Sequence, residues 1–303
     1  MKDLTDIHRL VSASPDEPFA FATLVRVKGS SYRRTGARMA IFADGRTAGS
    51  LSAGCIEDEI AEHAREVLRD GIPKLIAFDT RRRFGCHGSI EIFIERMNAS
   101  SIETLGDDLT ARRSCTLVTV FEGNAHELGT RIISHEIEGA FVQIMQPPIR
   151  LLVIGDGPDA RALASQATLL GWECECAATI ADRLGTTDAR TAAVIATHNF
   201  GRDCAALRDL APLGLGYLGV IGPRRRRDEL LADVLDSGAE LLSELFSPAG
   251  LHLGADSPEE IALSIVAEIQ AVFSRATGKH LRARKAPIHS EIPSEDACAP
   301  LAR

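Results

Sequence analysis

Positive charge is in deficit: 34 Lys and Arg stand against 42 Asp and Glu, a formal net charge of −8. General nucleic-acid binders carry a basic footprint, so a nucleic-acid polymer is not the expected partner. Long apolar runs are missing too. No stretch approaches the roughly 20 uncharged apolar residues of a membrane span. The opening MKDLTDIHRL has no apolar core like that of a signal peptide. The seven cysteines are an odd number over a long chain, unlike a secreted disulfide framework. A cytoplasmic protein with most thiols free is expected. No internal repeat, Ser-His-Asp arrangement or catalytic carboxylate pair is readable. With 45% hydrophobic and 25% charged residues, collagen, coiled coil, low complexity and wholesale disorder are excluded.

What is there is enough chain for two cores: 303 residues at roughly 150 per domain. The pair Pro147-Pro148 separates the apolar runs Ala140 to Met145 and Ile149 to Ile154. Proline interrupts strand hydrogen bonding, which makes this a boundary. Residues 1–146 read as a mixed α+β domain. Strand patterns cover Phe19 to Val27, Arg38 to Phe42, Thr47 to Leu51, Leu75 to Asp79, Ser89 to Glu95, Cys115 to Phe121 and Ala140 to Met145. One helix runs from about Ile56 to Asp70, with Gly71 placed to cap it.

Residues 149–280 instead alternate strand and helix, which implies an α/β, Rossmann-like doubly wound parallel sheet. Strands are expected at Arg150 to Ile154, Trp172 to Ala177, Ala192 to Thr197 and Tyr217 to Ile221, with helices between them. Ser257-Pro258-Glu259-Glu260 is a capping box that starts the last helix. The proline-bearing polar tail, 285–303, is expected to be disordered.

Gly155-Asp156-Gly157-Pro158-Asp159-Ala160 matches G-x-G-x-x-[GA] between a strand and a helix. Gly155 and Gly157 would allow a tight turn and a phosphate at the helix N-terminus. A nicotinamide dinucleotide site wants an acid at the end of the second strand, where Ala178 stands. Two readings stay open: a phosphate site, or a Rossmann scaffold with an altered pocket. His198 closes a strand at the carboxyl end where α/β ligands bind, and a capping role is open to it as well.

Cys55, after Gly54, opens the Ile56 helix, where the positive end of the dipole favours thiolate. Cys86 lies beside Arg81, Arg82, Arg83 and His87, whose cations have the same effect. Both are in loops of small residues. The loop holding Ser30, Ser31, Arg33, Arg34 and Arg38 combines hydroxyls with guanidinium forks, which suits a phosphate or a polar heterocycle. Arg224 to Arg227 open a helix against its dipole, a cost that an anion would relieve. Each basic run is also readable as a solvated surface. Cys174 and Cys176 share a strand face and read as core, as do Cys115 and Cys204.

Taken together these residues resemble the XdhC/CoxI family of xanthine dehydrogenase accessory proteins. The resemblance rests on Gly29 to Met39, on Gly49-Ser50-Leu51-Ser52-Ala53-Gly54-Cys55-Ile56-Glu57, and on Gly85-Cys86-His87-Gly88. In the second half it rests on the Gly155 turn, Thr197-His198, Gly219-Val220-Ile221-Gly222 and Gly254 to Ala262. Thr35, Ala53 and His87 depart from the usual Pro, Gly and Gly. The resemblance implies a chaperone, not an enzyme, whose cargo is the molybdenum cofactor, a molybdopterin in mono- or dinucleotide form. It would protect the cofactor during sulfuration and insert it into an apo-enzyme of the xanthine dehydrogenase or aldehyde oxidoreductase type. A cysteine desulfurase is the implied second partner, and a homodimer is compatible. By motif, Cys55 and Cys86 become cofactor or molybdenum contacts. Ser30, Ser31, Arg33, Arg34, Arg38, Gly54, Gly155, Gly157, His198 and Arg224 become cofactor-binding candidates. The alternative from another class is an NAD(P)-linked oxidoreductase using the Rossmann half.

Overall fold

The computed structural model describes residues 2–79, 88–133, 139–179, 187–283, 285 and 288. The chain opens with helix α1 (Lys2–Ser12), whose Leu4, Ile7 and Val11 are spaced for one buried stripe. Strands β1 (Phe19–Gly29), β2 (Arg38–Phe42) and β3 (Thr47–Gly49) follow, then helix α2 (Glu57–Asp70) and strands β4 (Lys74–Asp79) and β5 (Gly88–Met97). They form an antiparallel sheet of order β3-β2-β1-β5-β4.

Alternation along β1 feeds two cores. Ala20, Ala22 and Leu24 face α2, which buries Ile60, Ala64 and Val67 against them. Burying Ile60 or Val67 is worth about 1.5–3 kcal/mol each. Gly71 ends α2 with φ +73°, its N–H donating to the Val67 carbonyl at 2.9 Å. Phe19 and Phe21 point to the other face. There they meet α1, helix α3 (Ser100–Thr110) and a smaller sheet of β6 (Cys115–Val120), β7 (Gly129–Ile132) and β8 (Phe141–Met145), of order β7-β6-β8. The sequence patterns predict none of α1, α3 and β7. The interior Gly106 and two threonines of α3 weaken its helical signal.

Beyond Pro147 and Pro148 come β9 (Arg150–Ile154), α4 (Pro158–Leu169), β10 (Glu173–Ala177), β11 (Thr191–Ile195), α5 (Phe200–Leu210), β12 (Tyr217–Val220), α6 (Arg224–Asp236), β13 (Leu245–Phe246) and α7 (Pro258–Phe273). Their sheet is parallel, of order β10-β9-β11-β12-β13. One face buries Leu163 of α4 with Ile265 and Ile269 of α7. The opposite face buries Leu207 of α5 with Leu230 and Val234 of α6. The sheet is therefore covered on both sides, as its uninterrupted apolar strands require. The capping box of α7 is formed: the Glu260 amide donates to Ser257 Oγ at 3.3 Å, and Glu260 Oε2 accepts the Ser257 amide at 3.1 Å. Among the described residues no helix is long and apolar enough to cross a membrane.

Arg112, at φ +58° after α3, ties the halves together. Its guanidinium donates twice to Asp188, at 2.6 and 3.0 Å, to Glu173 at 3.0 Å and to the Pro148 carbonyl at 3.2 Å. Burial works against its charge, but Asp188 and Glu173 outweigh that and raise its pKa.

Candidate functional site

Strand pairing gathers the candidate loops of the first half. Gly29 pairs with Gly88, Met39 with Gly49 and Asp79 with Ser89. The loop 30–37, the loop 50–56 and the connection leaving Asp79 and returning at Gly88 thus start and end at one edge of the antiparallel sheet. A Cβ on Gly88 would stand 2.5 Å from the Ser30 carbonyl oxygen and 2.6 Å from that of Lys28. Only glycine lets the first loop lie so close to β5. Cys86 and Arg81 to Arg83 lie outside the described residues.

Cys55 is exposed, two residues ahead of α2. Its loop is organised by Ser52 and Glu57. The Ser52 hydroxyl donates to Glu57 Oε2 at 2.6 Å and accepts the amides of Gly54 at 3.1 Å and Cys55 at 3.2 Å. The Cys55 thiol lies 3.4 Å from the same oxygen. Glu57 also accepts the amides of Ser52 at 2.9 Å and Ile56 at 3.1 Å. Burial opposes the Glu57 charge, yet these donors outweigh it and hold its pKa below the usual carboxylate range. Gly54 adopts φ +100°, and the space where a Cβ would point is open. The thiol therefore sits at an open, rigidly framed edge. Glu57, Asp58 and Glu59 crowd the same first turn with negative charge, a feature the dipole argument for Cys55 leaves out.

Arg33 joins this loop to the next feature. It donates to Ser50 Oγ at 3.0 Å and is ion-paired with Asp3 of α1. Arg33, Arg34, Arg38, Gln143, Gln146 and Arg190 line a cleft of about 490 Å³ between the 32–38 loop, β8 and the start of β11. Arg38 is not on the loop surface; only 1% of it is exposed. It donates to the Gly36 carbonyl at 3.0 Å and to Gln143. Its Nε and Nη2 have no acceptor among the described residues. Burial, partly offset by Glu95, pushes its pKa down to about 10. Sequence reasoning missed Asp3, Gln143 and Arg190, which no local motif connects to the arginine loop.

The second candidate region lies at the carboxyl ends of β9 and β11, where the strand order reverses. That is where open α/β sheets bind ligands. Gly155 adopts φ +152°, and a Cβ there would stand 2.5 Å from the Ala196 carbonyl oxygen, while Gly157 faces open space. His198, at φ +54°, reaches across to α4 and places Nε2 2.7 Å from Asp159 Oδ2. The acid in the turn thus has a cationic or hydrogen-bonding partner of its own. Beside the end of β10, Arg202 donates to the Ala178 carbonyl at 3.0 Å, and no carboxylate stands at Ala178 for a ribose. The basic start of α6 is largely neutralised. Arg226 pairs with the buried Asp203, Arg225 with Glu229 and Arg227 with Asp228. Arg224 is exposed. Serines 30 and 31 stand at the mouth of the first-half loop, away from this region in the sequence and in the sheet order.

The other cysteines divide. Cys115 and Cys204 are buried, as their strands and helices predict. Cys174 is half-buried, and burial with neighbouring Cys176 pushes its thiol up to about 12. Cys176, expected in the core, is exposed, because β10 is an edge strand.

Residues 13–79 match the model of the XdhC and CoxI family, and residues 151–269 match that of the XdhC Rossmann domain. The chain belongs to the XdhC/CoxI family. It is 29% identical to a probable xanthine dehydrogenase subunit of Bacillus subtilis, over 87% of this chain and 96% of that one. It is 25% identical to the molybdenum cofactor insertion chaperone PaoD of Escherichia coli, over 89% of this chain and 90% of that one. A crystal structure named as a xanthine dehydrogenase from Bacillus halodurans superposes with a TM-score of 0.76 at 26% identity, covering 93% of this chain and 98% of that one.

Proposed function

We propose that this XdhC/CoxI chain is a molybdenum-cofactor chaperone that carries the finished pterin to an apo-enzyme of the xanthine dehydrogenase or aldehyde oxidoreductase type. The observation that carries the reading is the shared edge of the antiparallel sheet. There the loop that carries the open thiol Cys55 is joined, by the hydrogen bond from Arg33 to Ser50, to an arginine-lined cleft. The cargo is anionic through its phosphate and holds its metal through sulfur. Guanidinium forks recognise the first and a soft thiol the second. The names of PaoD and of the Bacillus subtilis relative support the same cargo and client class.

In this reading Cys55 contacts the metal end of the cofactor, together with Cys86 from the neighbouring connection. The glycine-rich loops cover the cofactor while a cysteine desulfurase delivers sulfur. The open turn at Gly157 takes the nucleotide of the dinucleotide form, with His198 beside it on Asp159 and Arg224 as the remaining candidate of that half. The chain itself performs no redox chemistry on a substrate. The test is co-expression with the cofactor-synthesis pathway, purification, and measurement of molybdenum and of released oxidised pterin by fluorescence. Wild type retains pterin and molybdenum, and Cys55→Ala retains much less at the same fold content. Pterin at background in folded wild type, with cofactor available, overturns the reading.

A further inference from the structure

The cleft holds two guanidiniums, Arg38 and Arg190, that its own carboxylate does not balance. That carboxylate, Asp3, is spent on Arg33. Arg38 is buried with two guanidinium nitrogens unused, and Glu95 acts on it only through space. Arg190 comes from the other half of the molecule, just before β11. Its Nε donates to the Pro147 carbonyl at 3.3 Å, and its guanidinium lies 5.3 Å from the centre of the Phe273 ring. Those contacts fix the side chain but supply no anion. Among the described residues Arg190 forms no ion pair. Burial and the nearby Arg112 lower its pKa, against a weaker pull from Asp188. Two desolvated guanidiniums facing one cleft are unfavourable unless a ligand supplies the missing charge. Arg34 lines the same wall as Arg38.

We propose that this cleft is an anion site built across the two halves, in which Arg38 and Arg34 on one wall and Arg190 on the other take the phosphate of a phosphorylated ligand. This deepens the chaperone reading by placing the cargo's phosphate, and it rests on that reading for the identity of the ligand. A phosphate is favoured over a single carboxylate because Arg38 keeps Nε and Nη2 without an acceptor and Arg190, among the described residues, uses only Nε, which leaves two forks for one anion. The volume, about 490 Å³, exceeds what a bare phosphate fills and leaves room for part of an attached heterocycle. Exposed Tyr32 on the rim offers that ring a stacking face. Since its walls come from both halves, the bound anion would also hold them together.

The experiment uses the full chain purified free of cargo, with inorganic pyrophosphate as the probe, titrated calorimetrically at low salt. Arg190→Gln and Gln146→Glu, the latter adding a carboxylate to the rim, are compared with wild type and with Arg69→Gln on the exposed end of α2. Wild type and Arg69→Gln bind. Arg190→Gln and Gln146→Glu lose affinity by about tenfold or more, the worth of one charge-assisted contact, with the wild-type fold kept by circular dichroism. Arg190→Lys recovers part of the loss. No heat from wild type, or equal affinity in Arg190→Gln, overturns the proposal. Pterin retention measured in parallel separates the two ideas. Pyrophosphate binding that depends on Arg190, with no pterin in any preparation, sinks the cargo reading and leaves the site. Pterin retained by wild type, with pyrophosphate affinity indifferent to Arg190, does the reverse.

Discussion

Replacing Arg112 with methionine keeps the apolar stem and removes the charge that ties the two halves. Four hydrogen bonds go: two to Asp188, one to Glu173 and one to the Pro148 carbonyl. Hydrogen bonds to charged groups are worth about 1.5–3 kcal/mol each when buried. Two features reduce the total. The carboxylates are about one third exposed, at 31% and 35%, although Arg112 itself is only 10% exposed. Asp188 also keeps the Thr191 hydroxyl and the Arg190 amide, and Glu173 keeps Arg150, so neither is orphaned. The expected loss is about 2–3 kcal/mol, below the roughly 3–5 kcal/mol of a fully buried broken pair. Urea denaturation of wild type and Arg112→Met at pH 7 measures it. The loss is also pH-dependent. Burial would raise the Asp188 pKa, but Arg112 and Thr191 outweigh burial and depress it. The network therefore stabilises fully above the unfolded aspartate value, near about 3.9. Its contribution disappears as pH falls through the lower folded value. Arg112→Met and wild type converge in that acid range, and a cycle with Asp188→Asn shows coupling of about 1–2 kcal/mol. A loss under about 0.5 kcal/mol at pH 7, or one unchanged in acid, refutes the assignment of Arg112 as the interdomain tie.

Gly88→Ala forces backbone at Ser30 and Lys28 to move, so a loss of about 1–3 kcal/mol in denaturation is expected, together with weakened pterin retention. Normal retention in a folded variant would separate the Ser30 loop from the cargo site. Ser257→Ala removes the capping box of α7 and costs about 1 kcal/mol by urea denaturation. In alkylation at pH 8 followed by mass mapping, exposed Cys55 labels while Cys174 stays unmodified, since its thiol is held near about 12 by burial.

Periodicity carried much of the fold. The uninterrupted apolar strands after Pro148, alternating with helices, read directly as a covered parallel sheet, and Ser257 to Glu260 marked the start of α7. Such signals are local, set by the geometry of one helix or one strand. Helix α3 was lost because Gly106 and its threonines blur the helical pattern, and β13 because its two residues are too few to show a period. Arg38 read as a loop cation because a charged residue normally reaches solvent. Its burial depends on Thr23, opposite it on β1, and on Gln143 of β8, which accepts its hydrogen bond, and Glu95 on the far side of β1 acts on it through space. Cys176 read as core because alternation cannot tell an edge strand from a central one.

The sequence alone determined the family, the Rossmann turn and the chemical types of the candidate residues, thiol and guanidinium in glycine-rich loops. These follow from short-range patterns and from motifs whose members are neighbours in the chain. Only the tertiary structure decided that Arg190 shares a cleft with Arg33, Arg34 and Arg38, that Asp159 is matched by His198, and that Arg225, Arg226 and Arg227 are each ion-paired within the protein. Coulombic and desolvation energies depend on distance and burial in space, and residues 38 and 190 acquire both only when two separately patterned halves pack together.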